Sequence, residues 1–156
     1  MMFKSHFGET VTVVLAILMG FIMAFAAVIA GHLAVNFSNV FKIWAMITLV
    51  ILLASILMPY KDWSARLTGT VVHNKESILY KIVDNILPSL ILNTCNTVVV
   101  SGANILYNEA IPAEAQMGAW MEGIIHDWPI MFVVSYFAAF LAQAAGIWVA
   151  EHNESR

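Results

Sequence analysis

The sequence predicts an all-α fold: a polytopic membrane protein of four transmembrane helices, organised as a tandem repeat of two helical hairpins. Three observations carry this reading. Of 156 residues, 61% are hydrophobic and 11% charged, and mean hydropathy is +0.82, whereas soluble domains are about half apolar and a quarter charged. Charged residues are missing over long runs: Thr10 to Phe41, Lys42 to Lys61, Asp84 to Glu109 and Asp127 to Glu151. Such gaps suit bilayer crossings, which need roughly 20 apolar residues each. The basic residues are also shared unevenly among the connections, as the topology of a membrane protein demands.

The helices are expected at about 11–35, 43–60, 82–108 and 128–150 of a single membrane domain, 1–156. The first enters through Glu9-Thr10; Ala24-Phe25-Ala26 resembles a cleavage site, but the apolar run exceeds the h-region of a signal peptide, so the segment is read as an uncleaved helix. The second runs from Trp44 to Pro59, and its ~18 residues rise about 27 Å, enough to cross with little tilt. Pro88 should kink the third helix or mark its first turn. The fourth is expected to start with Asp127 as N-cap and Pro129 in its first turn.

Lys61, Arg66, Lys75 and Lys81 lie between the second and third helices, and Lys4 and Arg156 near the ends; 109–127 holds no basic residue. The positive-inside rule then places both termini and the 61–81 loop in the cytoplasm, with 109–127 an outward loop. Trp44, Tyr107, Trp120 and Trp128 would form the outer aromatic belt, and Tyr60, Trp63, Tyr80 and Trp148 the inner one. Small residues recur every four positions at Ala16, Gly20 and Ala24 and at Ala138, Ala142, Gly146 and Ala150. This spacing lets backbones approach closely, joining the first helix to the fourth or one protomer to another.

The second helix of each half aligns without gaps, 44–57 with 128–141, pairing Trp44 with Trp128, Val50 with Val134, Ala54 with Ala138 and Leu57 with Leu141; this gives repeats over 11–60 and 82–150, with a longer outer loop in the second. Two spans per half make these parallel repeats. The segment Leu18-Met19-Gly20-Phe21-Ile22-Met23-Ala24, followed by Trp44 and an apolar run to Pro59, resembles a bacterial domain-of-unknown-function family of small two-helix membrane hairpins. There a Leu-Met-small-x-Ile-Met-small pattern opens the first helix, a Trp opens the second and a Pro closes it. The second half keeps Trp128-Pro129 but has Asn93 to Val99 in place of the Leu-Met pattern. The resemblance covers 15–60 and, more loosely, 85–150; it implies the fold and the bacterial cytoplasmic membrane, and no catalytic residue.

The foremost candidate site is a polar stripe on the third helix: Asn85, Ser89, Asn93, Asn96, Asn104 and Tyr107. At ~100° per residue these positions fall within roughly a third of the circumference, and such a stripe must face protein or trapped water rather than hydrocarbon. It either lines a passage or pocket for a small polar solute or hydrogen-bonds neighbouring helices; Gln143 is a partner under both readings. The second candidate is an outer cluster, His32, Glu122, His126 and Asp127, that could hold a divalent metal or be solvated interfacial residues. Third, Lys61, Trp63, Arg66 and Leu67 could form an interfacial helix on anionic lipid, although a topology-setting loop suffices to explain them.

The lone cysteine, Cys95, excludes an internal disulfide and a Cys-rich metal site. No nucleotide-binding motif or Cys-x-x-Cys pair is present, no carboxylate or lysine sits mid-span as proton-coupled export requires, and the small net charge of −3 gives no footprint for nucleic acid. No enzymatic activity and no cofactor are expected. Two functions remain: a small transport or solute-binding protein using the third-helix amides, and a non-catalytic accessory or structural subunit of a larger membrane complex. The expected partners are the lipid bilayer and a second copy or a larger membrane protein.

Overall fold

The computed structural model describes residues 4–31, 33–106 and 108–154. The chain is helical nearly throughout: α1 (Lys4–Ala30), α2 (Phe37–Leu57), α3 (Tyr60–Val71), α4 (Ile78–Asp84), α5 (Ile86–Leu106) and α6 (Ala113–Glu154). Four stretches are long and apolar enough to cross a bilayer: Phe7–Ala30, Phe37–Leu57, Ile78–Leu106 and Ala113–His152. Only 28–39% of each span's most apolar window is buried inside the protein. Phe21, Ile29, Leu49, Ile56, Val133, Phe137 and Leu141 are among the large apolar side chains left exposed. Large apolar side chains left uncovered on every span are what lipid, rather than water, solvates.

The four spans close into a ring in which α1 lies between α2 and α6, and α5 completes it against the same two helices. The inward stripe of α2 is Val40, Ile43, Ile47, Ile51 and Ala54, a helical spacing that meets Ala16, Met19, Met23 and Val28 of α1 in one core. Small residues set the closest approaches. A Cβ on Gly146 would lie 3.1 Å from the Val11 carbonyl oxygen, and one on Gly20 would lie 2.6 Å from Thr48 Oγ1. Gly146 of the fourth span therefore seats α6 on α1, while Gly20 of the first seats α1 on α2; this puts the beginning of α1 beside the end of α6 at one end of the bundle, called here the inner end.

Several boundaries differ from the sequence expectation. The first helix is Lys4–Ala30 rather than 11–35, and the second begins at Phe37 rather than 43. Asn36 caps α2 by accepting from the Asn39 N–H at 2.9 Å, while the Asn39 amide donates to the Ala34 carbonyl at 2.8 Å; this N-cap overrides Lys42 as a boundary signal. The 61–81 segment, expected as a loop with a short interfacial helix at 61–67 as the alternative, is largely helical: α3 buries Ser64 and Thr68 against the bundle and leaves Trp63, Leu67 and Val71 exposed on one face. The third span starts at α4 and is interrupted at Asn85.

The largest correction concerns 109–127. Most of this segment is helix: α6 runs 42 residues from Ala113, with Pro129 inside it and Asp127 mid-helix instead of at an N-cap. At 1.5 Å per residue α6 is about 63 Å long. Proline removes one helical hydrogen bond, but interhelix contacts upstream hold the early turns in place. The Trp120 indole donates to the Val98 carbonyl at 3.1 Å, and Gly102 and Gly123 admit the Trp120 ring and the Ser101 side chain respectively.

Candidate functional site

The polar stripe belongs mainly to α5 and faces the interior. Asn85, Ser89, Asn93 and Asn96 are all buried, Ser89 and Asn93 completely. Their positions share one face because they recur every three or four residues of a helix whose other sides are apolar. Two of the amides bond to α6. Asn85 Nδ2 donates to the Tyr136 carbonyl and Asn93 Nδ2 to the Trp128 carbonyl, each at 3.0 Å. Asn96 Nδ2 reaches the Met23 thioether of α1 at 3.8 Å. Asn104, by contrast, is exposed at the outer end, and Tyr107 lies outside the described residues.

The helix junction at the inner end follows from one proline. Pro88 has no N–H, so the Asp84 carbonyl, four residues back, loses its helical partner. The Ser64 hydroxyl of α3 donates to that carbonyl. Tyr136 adds a second bond here, its hydroxyl donating to the Ile82 carbonyl at 2.9 Å. The interruption of the third span is thus closed by α3 on one side and α6 on the other.

Two cavities flank the stripe. The outer one is about 40 Å³, bordered by Met23, Asn96, Thr97, Asn104 and Asp127. Asn96 Oδ1 and Thr97 Oγ1 are buried without a protein partner, so this small polar space suits water, and at 10–15 Å³ per water centre it has room for about three. The inner cavity is about 430 Å³. Three lysines line it: Lys61 from α3, Lys75 from the α3–α4 connection and Lys81 from α4. Asp84, Asn85 and Gln143 join them, and Leu92, Phe140 and Ile147 form an apolar wall. Gln143 therefore meets the stripe at its inner end, where it shares this cavity with Asn85.

Lys61 reaches back to α1, donating to Thr12 Oγ1 at 3.3 Å, and burial holds its ammonium pKa below the usual lysine range. The Tyr60 hydroxyl pairs with Ser55 at 2.6 Å, and burial pushes its pKa up despite that bond. His126 Nδ1 and Asp127 Oδ1 lie 2.9 Å apart at the outer end; among the described residues no ion pair joins a cavity lysine to a carboxylate. Asp84 Oδ1 is itself buried without a partner.

Three of the four outer His/acid candidates, Glu122, His126 and Asp127, lie on α6. Among the described residues no three His, Cys, Asp or Glu side chains come close enough to share a metal ion. Glu122 and His126 are one turn apart on α6 and both exposed, while His32 lies outside the described residues. The lysine cavity, in contrast, escaped sequence reasoning. Its lysines were legible as topology signals, but the fold that gathers them onto one space depends on α3 being a helix.

No protein-family model, curated protein or solved structure matches the chain. Function therefore rests on geometry: a helical bundle with four candidate membrane spans, a hydrogen-bonded interior and one roomy, basic cavity at its inner end.

Proposed function

We propose that this protein is a non-catalytic membrane module that binds a small ligand in the inner cavity, with the third-span amides serving chiefly to hold the bundle together. The contrast in volume carries this reading: about 430 Å³ at the inner end against about 40 Å³ beside Asn96. Ligand sites usually occupy 300–1,000 Å³. The bonds from Asn85 and Asn93 to α6 carbonyls support the packing role, since interhelical amides commonly hold membrane bundles together. The lysines at the inner end support a cytoplasmic orientation for both termini and the cavity.

The tandem-hairpin reading also gains support. Each proposed half has a tryptophan on its second helix donating to its first, Trp44 to the Ile17 carbonyl and Trp128 to Thr94 Oγ1, both at 3.0 Å. A second functional reading, an accessory subunit, is favoured by Met117, Met121 and Ile125, an exposed apolar row at four-residue spacing on the early turns of α6. Co-purification of a stoichiometric membrane partner would favour it; a homodimer or monomer with an open inner cavity favours ligand binding.

Cysteine accessibility tests the cavity. Ala144 is exposed and lines the inner space, whereas Asn96 is buried. In a Cys95→Ser background, Ala144→Cys should react readily with a charged, water-soluble maleimide, whereas Asn96→Cys should react slowly. Equal, slow labelling of both positions would overturn the cavity reading.

A further inference from the structure

We propose that the inner cavity is a binding site for a phosphate-type anion, held by Lys61, Lys75 and Lys81 against the apolar wall of Leu92, Phe140 and Ile147. The inference rests on the cavity reading above and adds the chemistry of the ligand. Three ammonium groups line one space, and among the described residues none has an ion-pair partner. The one carboxylate lining the space, Asp84, leaves the site with an excess of positive charge. Like charges gathered around one space repel one another, and an anion among them relieves that repulsion. Lys61 also donates to Thr12 Oγ1 of α1 at 3.3 Å, which aims it across the mouth of the bundle's inner end.

The lining is mixed: Gln143 and Asn85 add amide groups to the lysines, and Leu92, Phe140 and Ile147 add aliphatic and aromatic surface. A phosphate head with an apolar body complements both kinds of lining. It sits at the end of the bundle where the spans meet the interface, between α1, α3, α4, α5 and α6. Basic pockets between spans at that depth suit anionic lipid headgroups. The same lysines would recognise free phosphate, so the two sources differ in whether the apolar wall contributes.

The test uses the full chain in a neutral detergent at fixed ionic strength. Its thermal midpoint is titrated with dihexanoyl phosphatidylglycerol, dihexanoyl phosphatidylcholine and inorganic phosphate. Phosphatidylglycerol should raise the midpoint at lower concentration than phosphatidylcholine does. Lys61→Met combined with Lys81→Met should weaken it about tenfold or more, as the loss of two cations implies. Arg66→Met, which removes a cation outside the cavity, should leave it within about twofold. If the double variant fails to fold, Lys61→Met alone, with Lys61→Arg restoring affinity, gives the same comparison. A response to inorganic phosphate that matches phosphatidylglycerol assigns the site to free phosphate; a far weaker one assigns it to lipid. No discrimination between the two lipids, or equal loss on removing Arg66, overturns the anion site. Ala144→Cys labelling without any anion response would leave the cavity standing and this inference fallen.

Discussion

Asn85 and Tyr136 bind each other's helices in both directions: the Asn85 amide donates to the Tyr136 carbonyl at 3.0 Å, and the Tyr136 hydroxyl donates to the Ile82 carbonyl at 2.9 Å. The pair spans the point where the third span is interrupted and carbonyls need donors that the helix no longer supplies. Tyr136→Phe removes one of those donors and keeps the ring. Unfolding in mixed micelles should show a loss of about 1 kcal/mol. An unchanged midpoint would mean that the Ile82 carbonyl is satisfied without Tyr136.

Ser64 and Pro88 should be coupled through a group that belongs to neither. Pro88 orphans the Asp84 carbonyl and Ser64 satisfies it. Ser64→Ala alone should destabilise by about 1–3 kcal/mol, the cost of a buried unpaired polar group. In a Pro88→Ala background, the restored N–H of residue 88 can serve the same carbonyl, so the serine substitution should cost much less. A double-mutant cycle measures the difference, and additive effects would refute the link.

Glycine at 146 is there for contact, not for conformation. A Cβ there would lie 3.1–3.3 Å from Val11 on α1, tighter than ordinary van der Waals contact. Gly146→Ala should force the helices apart and lower stability despite alanine's better helix propensity. At Gly69 on α3 a Cβ would meet nothing within 4 Å. Gly69→Ala should therefore stabilise by up to about 1 kcal/mol. Thermal midpoints moving in the same direction for both would contradict the packing assignment.

Lys61 gives the inner cavity a pH signature. Burial disfavours its charged form, so its folded pKa lies below the ordinary value. Between the folded and ordinary values the unfolded chain binds more protons, and stability of the unliganded protein should rise as pH rises through that window. Anion affinity should fall over the same window, because the bound state needs the ammonium. The other titratable groups lining the space are Lys75, Lys81, Asp84, Tyr60 and Tyr80; the lining residues of α1, α5 and α6 carry none. Lys61→Arg should flatten both trends, since arginine stays charged. A parallel pH dependence in Lys61→Arg would assign the titration to another of these groups.

The spans were legible because each is an apolar run bounded by charge, and Pro59 ends α2 where expected: Leu57 is its last residue. The inward face of α5 was legible too, because amides at three- and four-residue spacing have one physical solution in lipid. What escaped the sequence was tertiary. Asp127-Pro129 looks like a helix start, yet Trp120 packed on Gly102 extends α6 upstream through it. Lys61, Lys75 and Lys81 read as a topology signal, and their meeting in one cavity requires Ser64 and Thr68 to turn α3 onto the bundle. Asn104, on the same periodicity as Asn96, ends up exposed because it lies near the outer end of α5.

Asn93→Leu separates the two roles most directly, because Asn93 is fully buried, bonds to the Trp128 carbonyl and is absent from the lining of the inner cavity. Stability and phosphatidylglycerol affinity are measured on the same purified variant. Unfolding free energy should drop by about 0.6–2 kcal/mol, while affinity in the folded fraction stays within about twofold of the parent. A variant as stable as the parent that no longer binds would place the ligand on the amide stripe and contradict the division of labour between bundle and cavity.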